Sequence, residues 1–233
     1  MRAFDKGSTQ RMLESHLEAA MDLALVAIFG TSFAVGLSGA MTPGPLFTYD
    51  VSESARRGFW TGPQLALGHS LLELLVVVAL GLGLGPLLNV SLVGAVVGLL
   101  GGGFLIWMGY RMARSAPGQT LSMQSAGRAS GPGPVLAGAL VSLANPYWSI
   151  WWVSIGMNYV FVSLQKEVPG LLSFYAGHIL ADFAWFSLVA FLVVSGRRFL
   201  NDRAYRGLLF ACGLFLVGLG VFFIYNAGAS WFA

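Results

Sequence analysis

Two histidine–carboxylate pairs stand in the middle of long apolar segments of this chain. His69 precedes Glu73 by four residues, and His178 precedes Asp182 by the same interval. This spacing places both side chains of a pair on one face of a helix. A charged group at the centre of an apolar, membrane-length helix is costly and usually functional. The pairs therefore predict a site that binds protons or another cation, with a structural lock between helices as the alternative.

The two pairs belong to a sequence repeat. Positions 68–73 read Gly-His-Ser-Leu-Leu-Glu and return at 177–182 as Gly-His-Ile-Leu-Ala-Asp. At the same shift, the Gly-Leu-Leu of 98–100 returns at 207–209. Two separated matches at one shift indicate two related halves, and we expect the polar pairs to meet where these halves meet.

Composition indicates an integral membrane protein. Hydrophobic residues make up 56% of the chain and charged residues only 10%, whereas a soluble domain carries about 25% charged residues. Six apolar spans are predicted, at about 23–41, 62–88, 92–110, 135–161, 169–195 and 207–226. Three spans in each half predict an all-α integral membrane fold, with six transmembrane helices arranged as two inverted three-helix repeats. The single cysteine, Cys212, excludes an intramolecular disulfide.

The predicted organisation has five parts. They are an N-terminal extension (1–22), a first three-helix repeat (23–114), a flexible cytoplasmic linker (115–134), a second three-helix repeat (135–226) and a C-terminal tail (227–233). Leu13 and Leu17 share one stripe of the extension, which favours an interfacial helix. Translation from Met21, or a signal peptide cleaved near Ala40, are alternatives for this end.

Arginines indicate the orientation. The loops after the first, third and fifth spans contain Arg56, Arg57, Arg111, Arg114, Arg128, Arg197, Arg198, Arg203 and Arg206. The opposite loops contain Lys166, and the extension adds Arg2, Lys6 and Arg11. Because basic loops stay on the cytoplasmic side, we predict a bacterial inner-membrane protein with both termini in the periplasm.

Proline interrupts two of the spans. Pro43-Gly44-Pro45 closes the first span, and Asn145-Pro146 divides the fourth. A break of this kind frees backbone groups, which in a bilayer must be satisfied by protein or by a polar cavity. We expect these segments to form the walls of a substrate site, with a simple proline kink as the alternative.

Two neighbouring groups have a plainer interpretation. Asp50 and Glu53 are predicted to form a charge cluster at the membrane interface. The aromatic run 147–152 is predicted to serve mainly in packing or in the interfacial belt, although it could stack on a cationic substrate.

The segment Met41-Thr42-Pro43-Gly44-Pro45, followed by Arg57-Gly58 and Glu73, resembles the opening signature of the LysE/RhtB family of amino-acid exporters. Asn145-Pro146 resembles the Asn-Pro-Lys motif of that family, but Tyr147 replaces its lysine. His69 and His178 are not part of the usual family pattern. The resemblance implies a secondary transporter that exports amino acids or similar small metabolites and is coupled to the proton gradient.

Within such a transporter, we expect Glu73 and Asp182 to bind protons or the substrate, tuned by His69 and His178, with Asn145 beside them. The expected partners are an amino acid, protons and membrane lipid, and a homodimer stays open. We expect no cofactor, no nucleic acid and no enzymatic activity.

Two other functions are kept as alternatives. His69, Glu73, His178 and Asp182 form a two-histidine, two-carboxylate set that suits a divalent metal, which makes a metal exporter the second hypothesis. Gly36-Leu37-Ser38-Gly39 resembles the serine motif of intramembrane rhomboid proteases, and a protease is the remote alternative.

Overall fold

The computed structural model describes residues 6–42, 44–84, 96–118, 133–196 and 201–231, and these residues form helices and short connections without a strand. The helices are α1 (Lys6–Ala40), α2 (Pro45–Arg57), α3 (Thr61–Gly81), α4 (Gly102–Ser115), α5 (Pro134–Leu143), α6 (Pro146–Trp151), α7 (Met157–Leu164), α8 (Glu167–Gly196) and α9 (Asp202–Trp231). Single π-helical turns precede α4 (Val97–Gly101) and join α6 to α7 (Trp152–Gly156). The predicted all-α class is confirmed for this part of the chain.

Four segments are long and apolar enough to cross a membrane. They are Glu14–Ala40, Thr61–Gly81, Glu167–Gly196 and Asp202–Tyr225, and they correspond to the first, second, fifth and sixth predicted spans. The third predicted span starts outside the described residues and continues in α4. The fourth is divided among α5, α6 and α7, so a count of six stays a prediction.

Several boundaries differ from those expected. Helix α1 continues from Lys6 through the whole extension, because the segment from 8 to 29 contains neither glycine nor proline to end it. At the other end, α9 continues into the expected tail as far as Trp231. Of the expected linker, only the ends are described: α4 ends at Ser115, a short 3-10 turn follows, and α5 begins at Pro134. Residues 119–132 of the linker lie outside the described residues.

The chain breaks at both proline motifs. Helix α1 ends at Ala40 and α2 begins at Pro45, whereas Pro43 lies outside the described residues. Helix α5 ends at Leu143, and the side chain of Asn145 caps α6 by accepting a hydrogen bond from the amide of Tyr147 (3.1 Å). Each new helix has proline at its first position, where the missing N–H costs nothing.

Helices α3 and α8 cross antiparallel at the centre of the molecule. Gly62 near the start of α3 lies against Phe186 late in α8, and Gly81 at the end of α3 lies against Leu171 early in α8. Helices α4 and α9 are also antiparallel, with Gly102 against Gly220 and Gly109 against Gly213.

Two further helices flank the α3–α8 crossing, and each runs parallel to the helix that it contacts. Helix α1 lies along α8, where the Ser32 hydroxyl donates to the Phe174 carbonyl (3.0 Å). Helix α5 lies along α3, where Gly138 faces the Leu65 carbonyl. Without a hydrophobic force between helices in lipid, small residues at such contacts let the backbones pack closely.

A substitution at Gly68 tests this close packing of helices. A side chain at Gly68 would overlap the backbone carbonyl of Val135, whereas one at Gly103 in α4 would meet open space. We expect Gly68→Val to destabilise the fold by at least about 1–3 kcal/mol, since overpacking forces the backbones apart. The measurement is the unfolding midpoint of the purified protein in detergent, with Gly103→Val as the matched control. Equal midpoints for the two variants would contradict the observed contact.

Candidate functional site

The two histidine–carboxylate pairs meet in the interior at the α3–α8 crossing. His69 Nε2 lies 3.1 Å from Glu73 Oε1, and His178 Nε2 lies 3.3 Å from the same oxygen. Both Nε2 atoms lie 3.9 Å from Asp182 Oδ2. All four residues are buried. The two motifs that repeat in the sequence therefore form one cluster, which we call the central quartet.

The glycine that precedes each histidine explains how the cluster is enclosed. Gly68 lies directly against the backbone of α5 at Val135, and Gly177 lies directly against the backbone of α1 at Phe29. A side chain at either position would separate these helices. The Gly-His step thus combines close helix packing with a polar group one residue later.

Two tryptophans complete the surroundings of Glu73. The indole Nε1 atoms of Trp148 and Trp152 each donate to Glu73 Oε1 at 3.1 Å. They stand one turn apart just after the Asn145-Pro146 break, and the π-helical turn begins at Trp152. The expected packing role therefore does not fully describe Trp148 and Trp152, because both also donate hydrogen bonds to Glu73. Their spacing of four residues, matching that of each histidine–carboxylate pair, was the available signal.

Ser142 fixes the ring of His69. The Ser142 hydroxyl lies 2.6 Å from both the Gly138 carbonyl and His69 Nδ1. When it donates its hydrogen to the carbonyl, it accepts from His69 Nδ1, which then carries a hydrogen. Any hydrogen bond between His69 Nε2 and Glu73 then requires one further proton, on the imidazole or on the carboxyl group.

His178 is held by aromatic rings instead. Its ring stacks on Trp151 (centroids 4.8 Å apart, planes at 24°) and on Phe174 (5.8 Å, 21°). His178 Nδ1 has no hydrogen-bond partner among the described residues and faces Gly36. The neutral ring can therefore keep its hydrogen on Nε2 and donate to Glu73.

A cavity of about 170 Å³ reaches the central quartet from the side of the helix breaks. Its walls include His69, Glu73, His178 and Asp182, together with Gly44 and Asn145. Among the described residues, neither Glu73 Oε2 nor Asp182 Oδ2 has a hydrogen-bond partner. The cavity thus ends at two carboxyl groups, each with one buried oxygen that has no hydrogen-bond partner among the described residues.

The other candidate residues from the sequence lie at the two helix breaks, in α1 and in α2. Pro45 and Pro146 are buried at the starts of α2 and α6. The Ser38 hydroxyl donates to the Val35 carbonyl of its own helix (2.7 Å). Asp50 is fully buried and accepts from Ser54 (2.7 Å), so it lies deeper than the expected interfacial cluster.

Three members of the central quartet have the donor set of a metal site. His69, Glu73 and Asp182 each offer a ligand atom within 4.8 Å of the others. Imidazole nitrogen with carboxylate oxygen suits several divalent metals. The cluster is therefore chemically suited to an organic cation, to protons or to a metal ion.

Comparisons with known proteins agree with the sequence motifs. The family model described as "LysE type translocator" matches residues 37–227. No solved structure matches the chain.

Curated relatives cover most of the chain. The "Chemotactic transduction protein ChpE" of Pseudomonas aeruginosa is 32% identical over 200 residues, covering 84% of this chain and 96% of the relative. The "Putative amino acid efflux protein YcgF" of Bacillus subtilis is 24% identical, covering 85% and 96%. The "Threonine efflux protein" of Escherichia coli K12 is 28% identical over 186 residues, covering 72% and 82%.

A substitution at Trp152 tests how much its hydrogen bond to Glu73 contributes to stability. Trp152→Phe keeps an aromatic ring but removes one N–H donor from the buried carboxyl group. We expect a loss of about 1.5–3 kcal/mol in stability, the usual range for a hydrogen bond to a charged group. Trp185→Phe is the matched control, because Trp185 Nε1 has no partner among the described residues. Unfolding in detergent measures both variants, and an equal loss would show that Trp152 contributes only its ring.

Proposed function

Because the chain belongs to the LysE type translocator family, we propose that this multi-pass membrane protein exports an amino acid or a similar small amino compound across the bacterial inner membrane. Export is coupled to protons and proceeds by alternating access at the α3–α8 crossing. The efflux proteins among its relatives support the transporter class. The observation that carries the proposal is the central quartet, buried in apolar helices and reached by a cavity.

The cost of burying charge supports a functional role for the quartet. A carboxylate at the centre of a transmembrane helix costs about 2.5–3.5 kcal/mol on insertion scales. Most buried polar atoms in folded proteins have a hydrogen-bond partner. Glu73 Oε2 and Asp182 Oδ2 instead lack partners among the described residues, so the cluster is poised to accept a ligand.

The hydrogen-bond network supports proton coupling. When Ser142 accepts from His69 Nδ1, the contact between His69 Nε2 and Glu73 Oε1 (3.1 Å) needs one exchangeable proton. That proton lies beside the cavity. A cationic group that arrives at Glu73 replaces the charge of the proton and favours its release.

Matched contacts in the two halves support the inverted repeat and hence alternating access. Three contacts between α1 and α8 have counterparts between α5 and α3. The matched pairs are Ser32–Phe174 with Gly138–Leu65, Phe29–Gly177 with Val135–Gly68, and Gly36–His178 with Ser142–His69. In addition, helices that occupy matching positions in the two halves contact each other and run antiparallel, namely α3 with α8 and α4 with α9. A two-fold axis in the membrane plane relates helices in this way.

The cavity lies on the side of α2, whereas an apolar cluster closes the opposite side. That cluster contains Val77, Leu80, Trp152, Val160 and Phe174. Arg56 and Arg57 end α2 on the cavity side, and arginine-rich loops stay in the cytoplasm. We propose that the structure represents a state open to the cytoplasm, with both termini in the periplasm.

Glu73→Gln tests the coupling. The variant keeps the size of the side chain but cannot exchange a proton, so we expect proton-driven export to fall at least about 100-fold, within the range that one acid–base group supplies. Counterflow and proton-gradient-driven uptake of radiolabelled amino acids and amines into proteoliposomes measure the effect. Glu18→Gln, at an exposed carboxylate of α1, is the matched control. Unchanged gradient-driven transport by folded Glu73→Gln protein would remove Glu73 from the mechanism.

The divalent metal exporter is a second candidate, favoured by the convergence of His69, Glu73 and Asp182. If a metal is the substrate, Mn²⁺, Zn²⁺ or Cd²⁺ will bind to the purified protein and will drive counterflow. His69→Gln, which removes the only nitrogen ligand of this set, will then abolish both effects. We expect amino compounds and not these metals to drive counterflow, and the opposite result selects the metal exporter.

A further inference from the structure

We infer that the cavity recognises a primary amine without a carboxylate, rather than a zwitterionic amino acid. The inference rests on the proposed export function and narrows its substrate class. It follows from the charged groups of the cavity wall, where the described residues include two carboxyl groups but no lysine or arginine.

The free acceptors are carboxyl oxygens. Glu73 Oε2 and Asp182 Oδ2 are buried and have no hydrogen-bond partner among the described residues. Both residues line the cavity. An ammonium group offers three N–H donors and one positive charge, so it can satisfy both oxygens and neutralise charge that is costly in this environment.

A substrate carboxylate has no comparable partner. No lysine or arginine is among the described residues that line the cavity. The hydroxyl of Ser142 is donated to Gly138, that of Thr42 to Ser38, and the indole N–H of Trp148 to Glu73.

The other donors in the wall carry no fixed full charge. They are the indole N–H of Trp151, the hydroxyl of Tyr147, the amide of Asn145 and the N-terminus of α2 at Gly44, and a helix N-terminus amounts to about half a charge. The imidazoles of His69 and His178 also line the cavity, but their Nε2 atoms already contact Glu73. An anionic group would also lie close to two carboxyl groups, so its burial here is unfavourable.

Aromatic rings supply the rest of the wall. Phe47, Tyr147, Trp148, Trp151 and Phe186 line the cavity together with the central quartet. The face of an aromatic ring attracts a cation and repels an anion. Carboxyl oxygens beside aromatic rings are a combination that can hold an organic ammonium ion.

Tyr147 offers a position at which this preference can be reversed. Its side chain lines the cavity and is 53% exposed, and its ring packs edge-on against Phe223 (5.3 Å between centroids). A lysine there has room to extend along the wall. It would supply the full positive charge that a substrate carboxylate requires.

The experiment measures binding to purified protein by quenching of tryptophan fluorescence and by calorimetry. The ligand pairs are arginine with agmatine and threonine with threoninamide, which differ only at the carboxylate. We expect the carboxylate-free member to bind at least about tenfold more tightly, a difference equivalent to 1.4 kcal/mol. N-acetylthreonine, which lacks the ammonium group, should not bind. In Tyr147→Lys the preference within each pair should reverse, whereas Tyr147→Phe should keep it.

The outcomes are distinguishable. Equal or tighter binding of arginine and threonine to the wild-type protein overturns this inference and leaves the export function standing. Failure of all four ligands to bind, while Mn²⁺ or Zn²⁺ binds, overturns the export of amino compounds as well. Loss of agmatine binding in folded Asp182→Asn protein supports the assignment of the ammonium site, and unchanged binding contradicts it.

Discussion

One oxygen atom, Glu73 Oε1, organises the centre of this protein. Two indole nitrogens and two imidazole nitrogens lie within 3.3 Å of it. In an apolar environment a carboxylate is tolerated only when donors replace its water. These donors come from α6 and the π-helical turn that follows it, from α3 and from α8. The position of each of these elements is therefore constrained by the same charge.

Close packing is the second requirement, because a carboxyl group is shielded from lipid only if the helices around it touch. Gly68 and Gly177 remove the side chains that would hold α5 and α1 away from the crossing. In lipid there is no hydrophobic force to press helices together, so contacts of this kind carry much of the packing energy. In both copies of the repeat, a glycine that allows close helix packing is followed directly by a histidine that takes part in the central quartet.

The two halves are not chemically equivalent. His69 is oriented by a hydroxyl group, whereas its counterpart His178 lies between aromatic rings and has a free nitrogen. Glu73 receives both tryptophans, and Asp182 receives neither. These differences leave Glu73 Oε1 surrounded by protein donors, whereas Glu73 Oε2 and Asp182 Oδ2 have no hydrogen-bond partner among the described residues.

The sequence alone determined the helical class, the two proline breaks and the identity of the central quartet, since a charge in an apolar span and a repeated motif are visible without coordinates. It could not place the start of α1 or the end of α9, because no glycine or proline stands between 8 and 29 to begin α1 later, and α9 continues through Gly228 to Trp231. Only the tertiary structure decided that both pairs converge on one oxygen, that Trp148 and Trp152 donate to it, and that Asp182 stays without a hydrogen-bond partner among the described residues. The physical reason is that the hydrogen-bond partners of a buried polar group come from distant segments of the chain. An apolar sequence does not specify which face of each helix turns inward or how the helices are aligned along their axes.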